Sequence, residues 1–193
     1  MKRRLAWLAA VLAQLALLGW IVASQERLRV TGRAVVLAIE PFDPIDPLSG
    51  RYLRIRARAT RIDLAELHPG WNGEALEQHA EQFVGQEVAV TLRAAGERFE
   101  PEAVASTAYQ EPGGSIVWLR GRVRSRYGAV LEIDYGLDRF FIPSDAADPS
   151  ALLWQGGHEL DIVVRVAVDG RSSIEDLLVD GKRYAEWNAA QGK

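Results

Sequence analysis

Two carboxylates, Asp43 and Asp46, stand three residues apart in a stretch that also holds Pro41, Pro44 and Pro47 and closes on Gly50. Prolines fix φ and remove backbone donors, so residues 41–50 form a shaped loop, not a helix or a central strand. A rigid loop can aim two carboxylates at one hard cation, since calcium takes oxygen ligands. The plainer role is to cap turns by accepting backbone N–H groups, as aspartate beside proline often does. No further Asp or Glu stands nearby at ligand spacing, so turn capping is favoured and Asp43 and Asp46 are only weak metal candidates. General acid–base work by the pair is weaker still.

The stretch that follows carries Arg51, Arg54, Arg56, Arg58 and Arg61. From Tyr52 to Ile62, Leu53, Ile55, Ala57 and Ala59 alternate with Arg54, Arg56, Arg58 and Thr60, which predicts one strand with a buried and a wet face. Its arginine stripe fits an acidic patch on a partner or anionic lipid headgroups. The commoner reading of such a stripe is a solvated strand face whose charge discourages edge-to-edge pairing. His68, His79 and His158 are scattered, with no second ligand at a recurring metal spacing. The serines lack a nucleophile elbow, and Pro112, Gly113 and Gly114 lack the continuation of a phosphate loop. Tyr52, Trp118, Tyr135, Phe140 and Phe141 are candidates for a binding groove, although aromatics in β domains are more often core.

The elements that must position these residues are mostly strands. Residues 30–40, 52–62, 87–93, 116–124, 129–135, 139–142, 159–168 and 172–179 read as strands, with 98–109 less regular. Turns near Tyr127 and Gly128 and at Asp169 and Gly170 predict two hairpins. Residues 74–83 and 149–155 read as short helices, the first with Asn72 as a possible cap. The expected class is mainly antiparallel β, as one barrel or sandwich or as two small β modules. The expected organisation is a tip and membrane anchor over 1–24 and a β-rich domain over 25–193, divisible into 25–110 and 115–193 at the break near 111–115.

Residues 5–23 contain no charged side chain and one polar one, Gln14. As a helix they span about 28 Å, close to the roughly 30 Å of bilayer hydrocarbon. Trp7 and Trp20 stand near the two ends, and Lys2, Arg3 and Arg4 precede the run. This predicts a single-pass anchor with a cytoplasmic N-terminus and an exported domain at the inner membrane. Cleavage after Ser24, which would release the domain, is the alternative, but signal-peptide apolar cores are usually shorter.

Of 23 Lys and Arg, three lie ahead of the apolar run, and the rest face 26 Asp and Glu. Nucleic-acid binding needs a basic excess and is not expected. With no cysteine, disulfides, thiolate catalysis and Cys-based metal sites are excluded.

Residues 41–55 resemble the segment that defines the GDYXXLXY family of bacterial membrane-anchored proteins, in which a Pro/Asp loop leads into Gly-Asp-Tyr-x-x-Leu-x-Tyr. Gly50 and Tyr52 match, and Ile55 replaces Leu. Arg51 stands where the pattern has Asp, and Ala57 where it has the last Tyr. The N-terminal anchor, the aromatic stretch ending at Pro143 and residues 174–184 are similar to the family as well. The resemblance implies a membrane-anchored bacterial protein, sometimes found with multi-span membrane proteins, and no known catalysis or cofactor.

The expected function is therefore a non-enzymatic accessory or interaction protein of the envelope, with no cofactor. Its expected partners are the bilayer, through residues 5–23, and another membrane or envelope protein. The motif loop (Pro41, Asp43, Pro44, Asp46, Pro47, Gly50, Tyr52) and the basic strand (Arg51, Arg54, Arg56, Arg58) are its candidate surface. The alternatives are an envelope hydrolase, metal-dependent or built on Asp43, Asp46 and a histidine, and a released periplasmic binding module.

Overall fold

The computed structural model describes residues 2–40, 52–64, 83–106, 117–143, 145–149, 152 and 157–191. The loop over 41–50 and the helices expected at 74–83 and 149–155 lie outside these residues, wholly or for the most part.

The apolar N-terminal run forms a helix, α1 (Lys2–Thr31). Among the described residues no helix is long and apolar enough to cross a membrane. The α1 ladder runs into the domain without a linker: Gly32 N–H donates to Leu28 O at 2.9 Å, and Leu28 is buried against the domain while Gln25, Glu26 and Arg27 are exposed.

The rest is mainly antiparallel β. One five-stranded sheet has β1 (Arg33–Glu40), β3 (Arg56–Ala57), β10 (Leu160–Val166), β11 (Ser172–Val179) and β12 (Lys182–Arg183), in the order β12-β11-β10-β1-β3. The other has β4 (Arg61–Asp63), β5 (Glu87–Ala95), β6 (Arg98–Ser106), β7 (Val117–Tyr127) and β8 (Val130–Asp134), in the order β4-β8-β7-β5-β6. A two-stranded ribbon joins β2 (Tyr52–Arg54) to β9 (Arg139–Phe141). The chain closes with a short helix, α2 (Tyr184–Gln191).

Alternation explains the layers. In β1, Val35, Leu37 and Ile39 point inward, opposite Val164 and Ile162 of β10. In β7, Val117, Leu119 and Val123 do the same while Arg120, Arg122 and Arg124 face out. One hydrophobic cluster takes residues from both sheets and from both sides of residues 111–115. Each fully buried Leu or Ile in it contributes about 1.5–3 kcal/mol.

The stretch read as one strand over 52–62 is broken. Its inward set is as expected, with Leu53, Ile55, Ala57 and Ala59 all buried. A 3-10 turn over Arg58–Thr60 then shifts the phase, so that Ile62 and Leu64 are the next buried residues. The segment consequently meets three partners in turn: β2 pairs with β9, β3 with β1 and β4 with β8. It is the corner at which the chain passes from one sheet to the other.

Candidate functional site

The corner segment positions the arginines singled out in the sequence. Arg54 and Arg58 are exposed and Arg56 is half-buried. Arg56 Nη2 stands 4.0 Å from Glu132 Oε1, and Arg58 Nε stands 3.9 Å from a Glu40 carboxylate oxygen. The turn at 58–60 separates them: Arg61 is carried into β4 opposite Glu132. The basic stripe is thus not a continuous row. Arg51, with Pro41, Asp43, Pro44, Asp46, Pro47 and Gly50, lies outside the described residues. Tyr52 pairs with Phe141 in the β2–β9 ladder.

Arg54 and Arg56 line a shallow cleft of about 80 Å³ together with Arg124, Glu132, Asp134 and Asp138. Its charges balance. Arg124 reaches Asp134 Oδ2 through Nη2 at 2.8 Å and Nε at 3.1 Å, and Ser125 Oγ donates to Glu132 Oε2 at 2.8 Å. Burial pushes the Asp134 carboxyl up, but the Gly136 N–H and the Arg124 guanidinium outweigh it and hold that carboxyl below the usual range. Below the cleft, Tyr135 is buried, donates to Ala59 O at 3.0 Å and has its phenol pushed above its ordinary value by burial. A surface of alternating fixed charges with a buried aromatic floor can recognise a polar partner.

The other candidates are dispersed. His158 Nδ1 lies 2.8 Å from Asp180 Oδ2, whose other oxygen accepts the Glu159 N–H at 2.9 Å, so this histidine braces a turn. His68 and His79 lie outside the described residues, among which no group of three or more His, Asp or Glu could hold a metal. Among the described side chains the aromatics do not form one groove. Tyr135 is core, Phe141 is exposed, Trp118 packs over Gly170, and Phe140 stands edge-on to Tyr184 at 5.6 Å.

Sequence reasoning missed a second arginine row. On β7, Arg120 reaches Glu87 Oε2 at 2.6 Å and Arg122 lies 3.8 Å from the same carboxylate, whose pKa the Arg120 hydrogen bond lowers. The period-two spacing of 120, 122 and 124 carried the signal.

A family model for the GDYXXLXY protein matches residues 14–177. The chain belongs to the GDYXXLXY family. No curated protein and no solved structure gives a match. The family's motif can be placed on the fold: its Leu position is Ile55, 4% exposed, and its last Tyr position is Ala57, 0% exposed. Both are inward positions of the corner segment. The part of the family motif described here therefore builds core where the chain changes sheets, and its outward residues, Arg54 and Arg56, form one wall of the cleft.

Proposed function

We propose that this GDYXXLXY protein is a membrane-anchored, non-enzymatic interaction module of the bacterial envelope, with its N-terminus cytoplasmic and its β domain outside. One observation carries the reading: the apolar side chains described over the middle of α1, from Val11 to Val22, are exposed along the whole stretch. Trp20 is 73% exposed and Leu18 59%, and the other apolar residues described from Val11 to Val22 are similarly bare. Water would penalise so much apolar surface, and a bilayer would not. The uncharged run over 5–23 and the preceding Lys2, Arg3 and Arg4 supply the length and the orientation.

A released module is less favoured. Ser24 lies inside α1, half-buried, with its Oγ donating to Ile21 O at 2.8 Å, so α1 runs unbroken from the apolar run to the edge of the domain. The proposed partner is another membrane or envelope protein, met by the charged cleft and the motif loop.

Full-length protein should stay in the membrane pellet after high-salt and alkaline washes, and its intact mass should include residues 1–24. A chain that begins at Gln25 and washes off sinks the anchored reading. In mild detergent it should capture a reproducible partner, and joint reversal of Arg54, Arg56 and Arg58 to Glu should reduce that capture at unchanged melting temperature. Capture indifferent to the reversal removes the cleft from the interface.

A further inference from the structure

We infer that the end of the β domain nearest α1 rests on the bilayer surface, with the β10–β11 hairpin tip and Trp118 in the lipid headgroup layer. The inference builds on the anchored reading above. The pairing of Arg33 with Val166 places the β10–β11 hairpin beside the point where α1 enters the domain. The hydrogen bond from Arg120 N to Gly170 O, 2.8 Å, brings the start of β7 to the same end. Between them is a cavity of about 100 Å³ lined by Thr31, Arg33, Trp118, Val166 and Val168.

This end mixes apolar and charged side chains. Val168 is 77% exposed and Val30 72%, beside the exposed Asp169–Arg171 ion pair of the turn, 2.7 Å. Arg27 and Arg29 are exposed on the last turns of α1, giving the rim a charge complementary to anionic headgroups. From Ala23, the last residue of the apolar run, to Val30 is about 10 Å of helix rise. The headgroup layer is roughly 5–8 Å deep on each side, so Val30 stands just above its outer edge, within reach of long side chains that extend back into it. A valine at the hairpin tip, an indole and flanking guanidiniums are the side chains that such a layer accepts.

The chain has no cysteine, so single probes are unambiguous. Full-length Val168→Cys, Tyr127→Cys and Leu18→Cys variants would each carry an environment-sensitive fluorophore. They would be placed in phosphatidylcholine vesicles with and without phosphatidylglycerol, and quenched by nitroxide lipids at headgroup and deep positions. Tyr127, 74% exposed, stands about 30 Å further along β7 from Trp118. The probe at 18 should be dry and quenched by the deep nitroxide. The probe at 168 should be blue-shifted and quenched by the headgroup nitroxide several-fold more than the probe at 127, and more so with phosphatidylglycerol. Joint R27E and R29E should weaken headgroup quenching at 168 and leave 18 unchanged. A dry probe at 18 with a probe at 168 as wet as that at 127 overturns this inference alone. A probe at 168 that is dry but unquenched marks protein contact and overturns it too. A wet probe at 18 overturns the anchored reading and this one with it.

Discussion

Gly121 occupies an inward position of β7, where a side chain would ordinarily stand. A methyl group there would meet Ile133 Cγ2 at 2.5 Å and the Tyr135 ring at 2.7 and 2.8 Å. The glycine is what lets an edge of the Tyr135 ring approach the strand closely while its hydroxyl reaches Ala59 O. Gly121→Ala should therefore destabilise the fold by about 1–3 kcal/mol, the usual cost of overpacking a core, measured by urea unfolding. A neutral result would show that Tyr135 has room to retreat. The sequence displayed Gly121 only as one residue in a strand, and a missing side chain leaves no periodic mark. By contrast, the inward set Leu53, Ile55, Ala57 and Ala59 was legible, because burial on alternate residues is the property that alternation reports.

At the scale of elements, legibility followed local chemistry. The hairpins at Gly128 and Gly170 were readable because each turn has a glycine at positive φ, 61° and 76°. The phase shift at 58–60 carried no glycine or proline, only a change in which residues are apolar. Pro101 made β6 look irregular, yet β6 is an edge strand, where a missing donor is tolerated. The helix α2 was missed because eight residues are too few to show a period; tertiary contacts hold it. Tyr184 is buried and donates to Ala147 O at 2.7 Å, while Asn188 Oδ1 accepts the Ala147 N–H at 2.8 Å. Tyr184→Phe should cost about 0.5–1.5 kcal/mol for that hydrogen bond. Tyr184→Ala, which also empties the ring's seat against Phe140, should cost about 3–5 kcal/mol. Equal losses in thermal melts would mean that the ring contributes nothing beyond its hydroxyl.

Across the whole molecule, the outer faces are laced with ion pairs. The Arg165 guanidinium holds Glu175 below the ordinary carboxylate range, and the Glu159 N–H and His158 do the same for Asp180. Folded values below the unfolded ones mean that the unfolded chain binds more protons as the medium becomes acidic. The stability these groups supply is complete above their unfolded pKa values, about 4, and is lost as pH falls through the folded ones. Melting temperature should hold between pH 7 and about 5, then drop below about pH 4, and Glu175→Gln should make that drop shallower. A melting temperature unchanged at pH 3 would deny these pairs any role. Their surface exposure keeps each contribution small.

The strand that opens the domain, β1, finds its long ladder partner in β10, near the other end of the chain. During synthesis, at roughly 5–20 residues per second, the intervening segment of about 120 residues takes some 6–25 s to emerge. For that interval Val35, Leu37 and Ile39 have no native neighbour on that side. The earliest strand made is among the last to be enclosed, so the nascent chain spends most of its manufacture with an open, sticky margin beside its own N-terminal helix.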